Sequence, residues 1–477
     1  MRVKTSLSLS LSTLLWSLSA FGGDVPPPKA PDTAAAPVLG PKPQPADPAA
    51  EALSRLSLTI QRRSLPNGLR VVLYPDQSSP TVAVAVTYDV GSRHEQAGQS
   101  GFAHLFEHMM FQGSAHVKKG QHFSLITERG GTLNGTTSAD RTNYFEVLPA
   151  SELDLALWLE ADRMRSLDVS AENFENQRAV VKEEYRMRYL NAPYMMGLLR
   201  LSELVFANYP PYANPTIGKM EDLDGAKLEW VSAFYEKNYA PNNAVLAIAG
   251  NFDSDAAMAS VERYFGAIPK RDVPPFPVPA ALPEAVAARE RVSDKNAKTP
   301  GLFYGFLIPP TRTPEHYALE LAAMVLGDGE SSRLHQKLVR DRAVAQGASA
   351  WTRDYRGPDE FAISIELAEK ATLEQVAKLV DAELDRLQKT PPSAAELERV
   401  KRRLKASFVF GLETNLRRAS ELSQFELYFG DARELTRELG RYLEVTPEQV
   451  KTAVAKYLTN ARRVVVEVVP AAKEAKP

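Results

Sequence analysis

Apolar residues recur along this chain in two registers, short β-branched runs and longer stretches spaced like a helix face, and their alternation predicts an α+β protein. Residues 62–76, RRSLPNGLRVVLYPD, read as a strand, a Pro-Asn-Gly turn and a second, β-branched strand, the pattern of a hairpin. Residues 81–95, TVAVAVTYDVGSRHE, open with a largely apolar strand of the kind that helices cover. From Ser151 to Arg165 the positions of Leu153, Leu155, Leu157, Trp158 and Met164, with acids in the first turn, predict an amphipathic helix. Another helix is predicted in NQRAVVKEEYRMR, residues 176–188, with Val180, Val181 and Tyr185 as its buried side. NAVLAIAGNFD, residues 243–253, returns as a buried strand that closes the first half.

The second half repeats this plan in weakened form. Residues 299–339 give a strand, a Pro-Pro turn and an apolar helix, much as residues 81–114 do, and RRVVVEVVP at 462–470 mirrors the strand at Asn243. The parallel predicts two homologous domains, each a mostly antiparallel sheet covered by helices. The Pro-rich stretch KRDVPPFPVPAALPEA at 270–285 separates them. The expected division is an N-terminal domain at 51–271, a linker at 272–288, a C-terminal domain at 289–470 and a tail at 471–477.

Composition agrees with two cores, because 477 residues exceed the roughly 250 to 300 at which a single core stops growing. A net charge of -2 gives no basic surface for nucleic acid. Residues 1–23 carry Arg2 and Lys4, then a Leu/Ser run, then small residues, which predicts a cleaved signal peptide and export, most readily to a bacterial periplasm. No later run of about 18 apolar residues offers a stable membrane span. Residues 24–50 are dominated by Pro and Ala and read as a solvated tether. Without a single cysteine the exported chain has no disulfide framework and depends on its cores.

Against this pattern HLFEHMMFQGS, residues 104–114, places two histidines and a glutamate in an apolar stretch. On a helix His104, Glu107 and His108 stand at i, i+3 and i+4, on one face, with the imidazoles one turn apart and able to grip one ion. The spacing inverts the HExxH zinc motif, in a chain with only seven histidines. The corresponding helix of the second half carries Ala318, Leu319 and Leu321, so the chemistry is expected in the first half alone. A catalytic zinc commonly takes three protein ligands and keeps one position open. Glu183 and Glu184 both offer a third ligand, and the residues themselves leave that choice open. Glu107, between the histidines, is placed to take a proton from water that the metal has acidified toward a pKa of about 7, which implies hydrolysis of an amide or similar carbonyl. One Zn2+ per chain is expected.

HLFEH, the distant VVKEEYRMR and the intervening NGTTSADRTNYFEV resemble the pitrilysin and insulin-degrading-enzyme family of inverted-motif zinc metallopeptidases. The likeness is greatest to the branch that includes mitochondrial processing peptidase and short bacterial relatives. LPNGLRVVL, GSRHE, FYEKNYAPNNAVLAIAGNFD and GDGESSRL extend it from about Arg62 to Val469. The resemblance implies that the two domains form half of a clam-shell. It implies His104 and His108 as ligands, Glu107 as general base and Glu184 as third ligand, with 75 residues between His108 and Glu184. It further implies that Asn134, Gly135 and Thr136 lie on an edge strand that binds an extended peptide by backbone pairing.

Two positions depart from the family pattern. Gln177 stands where members often carry a glutamate seven residues before the third ligand. In LVRDRAVAQ, residues 338–346, Val339 and Gln346 stand where active members carry an arginine and a tyrosine, leaving Arg340 or Arg342 as possible substitutes for the arginine. The resemblance therefore implies a zinc endopeptidase subunit that cuts peptides or unfolded segments, paired with a homologous chain that carries the Arg/Tyr pair. The alternatives are a self-sufficient homodimer and a non-catalytic peptide-capture or assembly subunit.

Overall fold

The computed structural model describes residues 59–471 except 274, 277, 278 and 280. The expected signal peptide and tether, and the tail beyond residue 471, lie outside the described residues. The strands form two sheets. The first comprises β1 (Gln61–Ser64), β2 (Arg70–Pro75), β3 (Thr81–Tyr88), β4 (Thr132–Thr137), β5 (Thr142–Pro149) and β6 (Ala244–Gly250), in the order β1-β2-β6-β3-β5-β4. The second comprises β7 (Ala288–Asp294), β8 (Gly301–Ile308), β9 (Ala345–Thr352), β10 (Asp359–Leu367) and β11 (Arg463–Pro470), in the order β7-β11-β8-β10-β9.

The two orders are the same plan. In each half the last strand makes one parallel pair with an early strand, β6 with β2 and β11 with β7. Every other pair in the shared plan is antiparallel. A mixed sheet repeated with its single parallel pair in the same place is the mark of a duplicated unit, and it explains why NAVLAIAG and RVVVEVV read alike. Both are central strands covered on both faces.

The helices that matter to the site are α1 (Phe102–Met109), α2 (Leu153–Ser166), α3 (Ala171–Tyr185), α4 (Met195–Val205), α5 (Pro314–Gly327) and α6 (Asn415–Phe429). α1 and α2 pack on one face of the first sheet, where Phe102, Leu105, Phe106, Leu157 and Met164 join Val84, Val86 and Leu246 in its core. The opposite face is covered from the other half of the chain: Ala419, Leu422 and Phe425 of α6 lie on Ala83, Ala85, Val245 and Ala247. The exchange is mutual, for Leu201 and Val205 of α4 pack on Phe303, Val464 and Val466 of the second sheet. Each half thus completes the other's core. Leu422 is 1% exposed, so Leu422→Ala is expected to cost about 2 to 5 kcal/mol and to shift the denaturant midpoint of the first sheet. An unchanged midpoint in a titration followed by tryptophan fluorescence would deny α6 that role.

Polar groups reinforce the junction. Asp140 receives Arg93 Nη1 at 3.0 Å, Tyr212 Oη at 2.7 Å and the backbone N–H of Arg356 at 3.0 Å. The Arg356 side chain crosses to Asp89 at 2.7 Å. Asp140 and Arg93 are buried, so removing one of them would strand the other's charge. The buried side of α3 differs from the sequence reading at one position. Phe174, Gln177, Val181 and Tyr185 face inward at i, i+3, i+7 and i+11, and Val180 is 44% exposed. Among the described residues no helix is long and apolar enough to cross a membrane.

Candidate metal centre

α1 begins where the chain has no side-chain cap of its own. Gly101 takes a left-handed φ of 91°, and a Cβ there would meet Ile217 O at 2.5 Å, so only glycine fits. The free N–H groups are met from a distance: the Glu95 carboxylate accepts from Gly101 N and Ala103 N, each at 2.9 Å. One face of the helix, Phe102, Ala103, Leu105, Phe106 and Met109, is buried. The other presents His104, Glu107 and His108, as their spacing predicts.

α3 starts on an N-cap, with the Ser170 side chain accepting from Asn173 N. Near its far end Glu184 comes against both imidazoles. Its Oε2 lies 3.3 Å from His108 Nε2 and its Oε1 3.8 Å from His104 Nε2. The ligand atoms of His104, His108 and Glu184 all lie within 4.8 Å of one another. Glu183, one residue away, points elsewhere: it is exposed and pairs with Arg186 at 3.0 Å. Burial, and after it the neighbouring His108, lowers the His104 pKa to about 3, so its imidazole is neutral at pH 7 with a lone pair to give. Burial alone would raise Glu184. The hydrogen bond from His108 and the positive charge around it bring the carboxyl down to about 2. Two imidazole nitrogens and one carboxylate oxygen form a donor set that suits zinc.

Glu107 stands beside this cluster, its pKa raised by burial. Its Oε2 accepts a hydrogen bond from Thr137 Oγ1 on β4. Thr137 went unnamed in the sequence, although alternation contained the signal: Gly135 and Thr137 are two apart on a strand and face the same way. A Cβ at Gly135 would meet Glu107 Cγ at 2.9 Å and Tyr144 at 3.3 Å. Glycine there lets the strand lie close against the glutamate. β4 is an edge strand, paired only with β5 through Asn134↔Phe145, Gly135↔Tyr144 and Thr136↔Asn143. Arg141 Nη1 holds the Thr136 carbonyl at 3.0 Å while its Nε reaches Gln424 of α6 at 3.2 Å.

The second half does not contribute to this cluster. Gln346 donates to Leu367 O at 2.9 Å and Thr299 Oγ1 at 3.2 Å within its own domain. Val339 packs against the second core. Among the described residues Arg340 and Arg342 make no ion pair with the site. α5 does carry a histidine that the sequence reading passed over, but His316 is fully buried and its Nε2 pairs with Asp359 at 2.8 Å.

The fold and this cluster agree with what the chain resembles. The family described as "Insulinase (Peptidase family M16)" matches residues 70–201, and the one described as "Peptidase M16 inactive domain" matches residues 226–404. The zinc protease PqqE of Helicobacter pylori is 30% identical over 355 residues, 74% of this chain and 80% of that protein. The chain belongs to peptidase family M16. Another M16 relative, named an uncharacterized zinc protease of Mycobacterium tuberculosis, is 30% identical over 88% of this chain and 94% of its own length. The crystal structure of a protease from Helicobacter pylori matches with a TM-score of 0.81 at 27% identity, covering 86% of this chain and 99% of that one. The periplasmic protease PqqL of Escherichia coli shares the fold with a TM-score of 0.69 at 20% identity, and there the match covers 86% of this chain but 47% of PqqL. The present chain is built as half of the M16 clam-shell. The matched "inactive" segment lacks an HxxEH motif, whereas residues 70–201 contain His104, Glu107, His108 and Glu184.

Proposed function

We propose that this chain is the zinc-holding subunit of an exported endopeptidase that cuts peptides or unfolded polypeptide segments. The observation that carries the reading is the convergence of His104, His108 and Glu184 within 4.8 Å, from two helices, beside a buried glutamate on the same helix face. These three residues hold one zinc ion. When bound, zinc supplies Lewis acidity, polarising a carbonyl and acidifying water. An extended substrate adds as a strand to the open edge of β4, along Asn134, Gly135 and Thr136, which brings a peptide bond past Glu107. Glu107 takes the proton of the attacking water on the oxygen that Thr137 leaves free, and returns it to the leaving nitrogen. The N-terminal signal-like pattern supports export to a bacterial periplasm, and the half clam-shell supports action with a related subunit.

Zinc content tests the ligand set. His104→Ala and Glu184→Gln are each expected to weaken zinc binding at least about tenfold, since each removes one of three protein ligands, while Glu183→Gln keeps wild-type occupancy. Elemental analysis after dialysis reads the outcome, and equal loss from both glutamate variants would reject Glu184 as the specific ligand.

A further inference from the structure

Among the described residues, Glu184 alone of the three proposed ligands has a side-chain partner outside the cluster. His104 Nδ1 is buried without a hydrogen-bond partner. Gln177, where the family resemblance leads one to expect a glutamate, donates to the adjacent Asn176 Oδ1 at 2.9 Å and so supports no ligand. Glu184 instead meets Arg188, whose Nη1 lies 2.9 Å from Oε1. The other carboxylate oxygen, Oε2, is the one turned toward His108. Both oxygens lie near an imidazole, but Oε1, 3.8 Å from His104 Nε2, is closer to the Arg188 guanidinium, while Oε2, 3.3 Å from His108 Nε2, has no such partner.

An exposed i, i+4 pair contributes little by itself, because two long side chains must be held in one geometry. Here the backbone is held for them. α3 runs directly into a π-helical turn, Arg186–Leu190, closed by Asn191 N donating to Arg186 O at 2.9 Å. Tyr185 and Tyr189 stack at 5.4 Å, one turn apart, and pack against the first core on the side away from solvent. Arg188 is thereby presented to Glu184 by a fixed segment.

Resting on the reading of Glu184 as third ligand, we infer that Arg188 is a positioning residue that makes Glu184 a one-oxygen ligand. By holding Oε1, the guanidinium leaves only Oε2 for the ion. A second carboxylate oxygen is kept from the position that a catalytic site reserves for water. The sign of the effect separates this role from simple charge. A cation beside the site repels a divalent ion, so on Coulombic grounds alone its removal would tighten zinc binding. Loss of positioning does the opposite.

The experiment is zinc affinity of the full chain by competition with a chromophoric chelator, with folding checked by circular dichroism. Arg188→Ala is expected to bind zinc 10- to 100-fold more weakly, the usual effect of losing a partner that orients a ligand. Arg188→Lys is expected to recover part of this, since an ammonium keeps a charged donor without the planar fork. In the assembly that cleaves peptide, kcat of Arg188→Ala should fall with KM nearly unchanged. Unchanged or tighter zinc binding in Arg188→Ala overturns the inference, and so does a raised KM at wild-type zinc affinity, which would make Arg188 a substrate contact. Glu184→Gln keeps the two readings apart. If that variant retains zinc at wild-type affinity, the ligand assignment itself fails; if it loses zinc while Arg188→Ala does not, only the positioning role fails.

Discussion

Glu107→Gln should keep its zinc and its fold and lose at least about 10² of the peptide-hydrolysis rate. The substitution preserves size and leaves an amide oxygen to accept from Thr137 Oγ1, so the contact between α1 and β4 survives. It also removes no proposed ligand. What it removes is the ability to accept a proton, at a buried position where burial raises the carboxyl's pKa. Three measurements decide it together: zinc content, thermal midpoint and single-turnover cleavage of an unstructured peptide. A zinc-loaded, folded variant that cleaves at the wild-type rate would return the chain to the non-catalytic, peptide-capture class.

The helix face of the proposed metal cluster was largely legible in the sequence because helical periodicity fixes how HxxEH must project, whatever the surroundings. The proposed third ligand was not. Glu183 and Glu184 are adjacent, and only the packing of α3 beside α1 turns one to the imidazoles while the other meets Arg186. Family resemblance chose between them where composition did not. Val180 shows the same limit from another side. An apolar residue in an amphipathic helix reads as buried, yet Val180 lies on the solvent side of α3, with the exposed Glu183 one turn along. The exchange of α4 and α6 was beyond local patterning altogether. Apolar spacing in α6 reveals that Ala419, Leu422 and Phe425 have a buried side, but not that strands of the first half of the chain cover it. The duplication was visible as repeated strand-turn-helix text, and the sheet order gives its cause.

The same half clam-shell leads to the partner. Adding a homologous chain that carries the Arg/Tyr pair is expected to raise the peptidase rate of this one by about 10² to 10³, the usual contribution of a missing oxyanion donor. Here the positions that would supply the pair are Val339, packed in the second core, and Gln346, whose amide is bonded to Leu367 O and Thr299 within its own domain. Neither can stabilise developing negative charge at a peptide carbonyl. Arg340 and Arg342 are exposed, on the half of the chain without an HxxEH motif. The chain also matches only 47% of PqqL, which carries the fold at roughly double length. A zinc half lacking oxyanion donors and a second half lacking zinc would complete each other as a heterodimer. The check is to assay the purified chain alone and with increasing amounts of such a relative from the same organism, following kcat/KM and the mass of the complex. A 1:1 complex with a rate that saturates at equal amounts is the expected result. Full activity from the isolated chain, unchanged by the addition, would exclude the heterodimer in favour of a self-sufficient homodimer. Arg340→Ala and Arg342→Ala would then be the first variants expected to lose activity, because those arginines lie nearest the position of the absent one in the sequence.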